Sequence, residues 1–216
     1  MHNKIVSFLI AILIVGSMFC GSAFAVENQS LANTNQIGGN ISQDTVLNRS
    51  DNTYVLTSDI NIKAGIKLSI LDGATVEGNG HKINVYGELI VDQATLNNVN
   101  IAVSNTGYQP SAVTISNSSI TGGSLFNPTG DSAHAKIILR DNHFKGLKDY
   151  SYIWYPSEPV YIERNVFDNC GGLSIGSRVD VYITNNVFVH MTTDYAIENW
   201  AQYDDSNCYV KQFLLG

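Results

Sequence analysis

VYIERNVF occupies residues 160–167 and VYITNNVF residues 181–188. The phrases start 21 positions apart and differ only at Glu163/Thr184 and Arg164/Asn185. A weaker copy precedes them: Ile137-Ile138-Leu139-Arg140-Asp141-Asn142-His143-Phe144. A fainter one lies at Val113-Thr114-Ile115-Ser116-Asn117-Ser118-Ser119-Ile120, and Cys208-Tyr209-Val210-Lys211 opens another. The shared pattern is apolar-x-apolar-x-x-(Asn/Ser)-x-(Phe/Ile), at intervals of 24, 23, 21 and roughly 27 residues. A period of that length with strand alternation predicts a β-solenoid, one coil per repeat.

The physical logic follows from alternation. Val160-x-Ile162 puts two apolar side chains on one face of a short strand. One coil cannot bury that face, but coils stacked about 4.8 Å apart bury it against their copies. Phe144, Phe167 and Phe188 then form an interior aromatic stack. Asn142, Asn165 and Asn186 fall at one turn, where asparagine is expected to adopt a left-handed backbone and bond the asparagine of the next coil. The residues that vary between copies, Glu163/Thr184 and Arg164/Asn185, are expected at the surface or in the turn.

The earlier half repeats the logic in shorter units: Ile66-x-Leu68-x-Ile70, Ala74-x-Val76, Ile83-x-Val85, Leu89 with Val91, and Ile101-x-Val103. Gly65, Gly73, Gly78, Gly80 and Gly87 punctuate them. Residues 26–40 are polar and are expected to be flexible, with the β-helix domain over 41–216 and an N-terminal cap within 41–60. The run Ala74-Thr-Val-Glu-Gly-Asn-Gly-His81-Lys-Ile-Asn-Val85, followed by V-x-I-x-x-N-x-F repeats, resembles the pectin-lyase-like right-handed parallel β-helix repeat proteins. The likeness covers roughly 60–216 and implies an all-β, single-stranded, right-handed solenoid. It does not imply one activity, because such folds carry lyases, hydrolases, epimerases, adhesins and non-enzymes.

The chain opens with Lys4, an apolar run Ile5–Val15 and small residues ending Ala23-Phe24-Ala25, the pattern of a signal peptide over 1–25. The run is too short to span a membrane, so a secreted or cell-surface protein with no stable span is expected. About 190 residues then remain, enough for one domain. Losing the leader takes one lysine from 12 basic residues and none of 19 acidic ones, giving a net charge of −8. With no Lys/Arg cluster, nucleic acid is not an expected partner.

A complete catalytic set is missing. The resemblance implies, for active relatives, aspartates that hold calcium with an Arg or Lys base, or an Asn-x-Asp, Asp-Asp, Gly-His-Gly and Arg-x-Lys series. Here Asp204-Asp205 is the sole adjacent acidic pair, and neither Gly-His-Gly nor Arg-x-Lys occurs. Weak catalytic candidates are Asp194, Glu198, Asp204 and Asp205 in a long loop over 189–207, and Arg140, which lies near His143 and Lys145. His81 reads as a corner residue. No cofactor or metal is called for; calcium is compatible with the oxygen-rich surface, but no spacing requires it.

Aromatic residues are concentrated instead. Both Trp and 8 of 11 Tyr lie in 150–209. Tyr161, Tyr182 and Tyr209 share an outward column, and Tyr150-Ser-Tyr152-Ile-Trp154-Tyr155 reads as an insertion between Phe144 and Val160. Loops 145–159 and 189–207 are expected to flank the column. Stacked tyrosines can cover a sheet or make an amphipathic platform for sugar rings. Carbohydrate-binding candidates are therefore Tyr161, Tyr182, Tyr209, Trp154 and Trp200, with a polysaccharide or cell-surface glycan as partner. The expected function is a non-catalytic, surface-associated or glycan-contacting protein; a polysaccharide lyase or glycoside hydrolase and an adhesin-like structural segment are the alternatives.

Cys170 and Cys208 fall two coils apart, about 9.6 Å along the axis, so two separate buried thiols are expected. Sequons stand at Asn28, Asn40, Asn48 and Asn117. The end, Lys211-Gln-Phe-Leu-Leu-Gly216, carries no cap pattern. A truncated product of a longer gene is expected, with docking on a partner or self-association through that end as alternatives.

Overall fold

A computed structural model describes residues 33–48, 52–103, 111–126, 135–156, 158–177, 179–200, 208–211 and 214–215. The expected leader and Asn28 lie outside these residues, as do Asp204 and Asp205. Among the described residues every regular element is a strand, and every strand pairing is parallel. No helix there is long and apolar enough to cross a membrane.

The first described strands are β1 (Asn33–Ile41), β2 (Thr45–Leu47) and the long β3 (Asn52–Ile62). Three-strand coils follow: β4 (Lys67–Ile70), β5 (Thr75–Glu77), β6 (Lys82–Val85); β7 (Glu88–Asp92), β8 (Thr95–Asn97), β9 (Asn100–Val103); β10 (Ala112–Ser116), β11 (Ser119–Thr121), β12 (Ser124–Leu125). The series continues with β13 (Lys136–Arg140), β14 (His143–Lys145), β15 (Ser151–Trp154); β16 (Val160–Glu163), β17 (Val166–Asp168), β18 (Leu173–Gly176); β19 (Val181–Thr184), β20 (Val187–Val189), β21 (Ile197–Asn199). The described strands end with β22 (Cys208–Lys211) and β23 (Leu214–Leu215).

The described residues thus form an all-β parallel solenoid with three faces. The first face runs β2-β4-β7-β10-β13-β16-β19-β22. The second runs from the front of β3 through β5-β8-β11-β14-β17-β20-β23. The third runs from the back of β3 through β6-β9-β12, then through the separate ladder β15-β18-β21. β3 serves two faces, and β1 pairs along it in parallel, with a register shift between Ile37 and Gly39. A strand therefore begins at Asn33, inside the stretch that reads as flexible; polar composition hid it, because its partners are backbone groups of β3.

Registers match the sequence alignment. Val160 pairs with Val181 and then Cys208, and Phe144 with Phe167 and Phe188. The three phenylalanines are buried and stack at 4.8 and 4.9 Å between ring centroids, tilted 16° and 4°. The apolar positions of the earlier half from Leu68 onward are buried in the same core, with Ile66 packed at its edge.

The asparagine ladder exists, with one correction. Asn142 Nδ2 donates to Asn165 Oδ1 at 3.0 Å, and Asn165 Nδ2 to Asn186 Oδ1 at 3.0 Å. Backbone N–H groups of Asn142 and Asn165 donate to the same oxygens at 3.0 and 2.8 Å, and Ser118 N–H to Asn142 Oδ1 at 3.0 Å. The left-handed residue is the one before each ladder member: Asn117 (φ 49°), Asp141 (57°), Arg164 (55°) and Asn185 (58°). The inward turn needs positive φ there, which frees the next side chain to enter the core as a buried, fully bonded amide. The variable residues thus sit where expected: Arg164 and Asn185 are exposed, and Glu163 and Thr184 are half-buried.

Candidate functional site

The expected insertion at 150–155 is a strand. In β15, Ser151 and Ile153 point inward while Tyr152 and Trp154 point outward, the ordinary alternation of a half-buried strand. β21, with Glu198, likewise lies inside the segment read as a long loop. Both strands belong to the third face, whereas the tyrosine column lies on the first. The sequence-predicted aromatic residues therefore divide into two sites.

On the first face, Tyr161, Tyr182 and Tyr209 stack at 5.2 and 5.1 Å, each pair tilted 9°. The Arg140 guanidinium lies 5.3 Å from the Tyr161 ring centre, and its Nε donates to Glu163 Oε2 at 2.7 Å. Ring faces are thus turned toward one another along the column. Its solvent side presents ring edges and hydroxyls. The Tyr182 hydroxyl donates to Asp180 Oδ2 at 3.1 Å, and that bond is the main cause pushing its phenol above the ordinary range. Arg140 is thereby engaged as the upper cover of the column.

On the third face the arrangement differs. Trp154 pairs in register with Gly176, and Trp200 N–H bonds Ile175 O at 2.8 Å. The two tryptophans thus flank Gly176 from opposite sides, leaning to 6.5 Å between ring centroids at 64°. A Cβ on Gly176 would sit 3.2–3.3 Å from Trp154 ring atoms. The missing side chain is what lets the indole settle onto the sheet. Trp154 Nε1 donates to the buried Ser174 Oγ at 3.2 Å, and Trp200 Nε1 to Glu198 Oε1 at 2.9 Å. Tyr152 and Tyr155 stand edge-on to Trp154 at 5.9 and 6.3 Å, and Tyr150 extends the row from Tyr152 at 6.4 Å. Trp200 is 48% exposed and Tyr195, at the adjoining corner, 63%. Gly172 is needed for space too: a Cβ there would overlap the Tyr195 carbonyl and press on the Tyr150 ring at 2.9 Å.

Of the acidic candidates, Glu198 joins this patch through Trp200, and Asp194 is exposed in the turn before β21. His143 and Lys145 are exposed on the second face. His81 sits at a corner, 3.3 Å from Asp59. Among the described residues no group of three or more His, Cys, Asp or Glu side chains could hold a metal ion. Cys170 is buried, Cys208 half-buried, and both are free thiols that burial pushes above the ordinary range. Of the sequon asparagines, Asn117 engages its side-chain nitrogen, which donates to Asp92 Oδ1 at 2.8 Å; Asn40 accepts from Asn61 Nδ2 through Oδ1 at 3.2 Å, and Asn48 accepts from the Tyr54 hydroxyl through its backbone carbonyl.

Sequence reading missed Gly176, the floor of the patch. The register of Leu173–Gly176 with Ser151–Trp154 would have found it, had the latter been read as a strand. The fold and this surface together define a parallel β-solenoid bearing an outward aromatic patch. The sequence matches no family model and no curated protein.

Proposed function

We propose that this chain is an exported, non-catalytic β-solenoid that contacts carbohydrate through the third-face patch of Trp154 and Trp200. We place it among right-handed β-helices of the pectin-lyase-like kind and outside the cell or on its surface. The carrying observation is the pair of indoles leaning together over Gly176, each oriented by its own Nε1 hydrogen bond. Sugar rings have apolar C–H faces and polar rims. They suit aromatic side chains that are fixed in place, because little rotamer freedom is then lost on binding. The tyrosine column is the lesser contact, since its ring faces are already turned toward one another.

The test is retention of the exported chain on immobilised polysaccharides. Trp200→Ala should reduce retention about tenfold, the loss of about 1.4 kcal/mol of contact. Gly176→Val should do the same while thermal unfolding stays near that of the parent, because the added side chain displaces Trp154 from the outer surface. Retention unaffected by both changes defeats the reading. So does turnover: new reducing ends or unsaturated products, abolished by Glu198→Gln, would make this an enzyme.

A further inference from the structure

We infer that the third-face patch takes an uncharged polysaccharide and rejects polyuronates; this rests on the carbohydrate-contact reading above. Charge around the patch sets the preference. The described parts of the chain around this patch are residues 148–156, 171–177 and 191–200. Their charged side chains are Lys148, Asp149, Asp194 and Glu198. One cation thus stands against three carboxylates, and Lys148, Asp149 and Asp194 are exposed. The chain as a whole is acidic, at −7. A polymer with a carboxylate on every sugar would approach like charge both locally and at long range.

The polar groups within reach are of the kind a neutral sugar uses. Glu198 accepts the Trp200 indole N–H through Oε1, which leaves Oε2 as an acceptor for a sugar hydroxyl. An ionised carboxylate accepts hydrogen bonds from hydroxyls and cannot donate one to another carboxylate. Tyr152, edge-on beside Trp154, is half-exposed and carries a hydroxyl able to donate or accept. Affinity would come from stacking on the indoles, and orientation from these oxygens. Such binding depends little on salt.

The experiment uses the exported chain and four probes: a β-glucan, a mannan, polygalacturonate and a partly deacetylated amino-sugar polymer. Each is tested by affinity electrophoresis at low and high salt, with Trp200→Ala and Glu198→Gln beside the parent. The expected result is retardation by at least one neutral polymer, within about twofold at both salts, weakened about tenfold by Trp200→Ala. Polygalacturonate should not retard the protein at either salt. Retardation by polygalacturonate that Trp200→Ala weakens would overturn the inference and keep the carbohydrate reading. The inference is equally overturned if the amino-sugar polymer alone retards the protein, with loss at high salt and in Glu198→Gln. Retardation by none of the four, with the protein folded, removes the carbohydrate reading itself.

Discussion

The coils over residues 66–103 and those over 136–200 share one backbone course but are filled differently. At the corner between the first and second faces, the early coils place Ala74 and Ala94 where the later ones place Asn142, Asn165 and Asn186. In the interior column of the second face, Val76, Leu96 and Ile120 give way to Phe144, Phe167 and Phe188. On the outside of the first face, Ser69, Ile90 and Thr114 precede Ile138 and then three tyrosines. Aliphatic columns ask only for volume and apolarity, so successive members are free to differ. An amide ladder or a ring stack needs like beside like, because its hydrogen bonds and ring planes are directional. The repeat is visible in sequence where the columns are directional and fades where they are not.

The largest effect should come from breaking the ladder at its centre. Asn165→Ala removes the acceptor shared by Asn142 N–H and Asn142 Nδ2, together with the Asn165 amide's own bonds to Leu139 O and Asn186 Oδ1, in the buried corner of the coil. Each orphaned group costs about 1–3 kcal/mol, so a loss of about 4 kcal/mol is expected in denaturant unfolding. Hydrogen exchange should quicken first in β13, β16 and β19. A loss under about 1 kcal/mol would mean that the corner tolerates an alanine as the early coils do, and the contrast would fall.

A smaller effect sharpens the same point. Phe167→Leu removes both ring stacks and leaves a partly filled space, for about 2 kcal/mol. Ile120→Leu, one coil outside the stack, conserves volume and should cost less than about 1 kcal/mol. Equal losses in thermal unfolding would show that the phenylalanines act by volume alone.

Acid should weaken both halves through one kind of contact. Asn117 and then Ser116 donate to Asp92 and hold its carboxyl below the ordinary value of 3.8. Arg164 does the same to Asp141. A lowered folded value means that the stabilisation is complete above about pH 4 and disappears as pH falls through the folded values. The melting temperature should therefore hold from neutrality to about pH 4 and drop below it. Asp92→Asn should lower the plateau slightly and make the acid limb shallower. An unchanged limb in that variant would remove Asp92 from the account.

How much of this was legible follows from the same division. The strong phrase at 160–167 and 181–188 fixed register, core columns and the interior ladder, because identity is demanded at each of those positions. The strand at 151–154 was not legible as such. It has no repeated phrase, its outward residues are large aromatics, and its partner strand Leu173–Gly176 is buried throughout. The patch of Trp154 and Trp200 was thus named residue by residue without its floor. Gly176 matters through what it lacks, and a single glycine in an apolar stretch has many readings.

Arg164 gives the smallest and most discriminating test. A non-glycine residue at φ 55° costs about 1 kcal/mol, more for a long side chain than for asparagine, which favours this region. Against that cost, Arg164 donates two bonds to Asp141, Nε to Oδ1 at 2.7 Å and Nη2 to Oδ2 at 2.8 Å, across one coil step. The pair is half-exposed, 50% and 41%, so solvent screening leaves it only a small net contribution. Arg164→Asn installs the residue that the next coil carries at Asn185. The two changes nearly cancel, and the melting temperature should move by less than about 2 °C at moderate salt. At low salt the ion pair strengthens, and the variant should become the less stable of the two. If its melting temperature falls by more than about 5 °C at moderate salt, the charged pair, rather than the buried amide beside it, holds these coils in register.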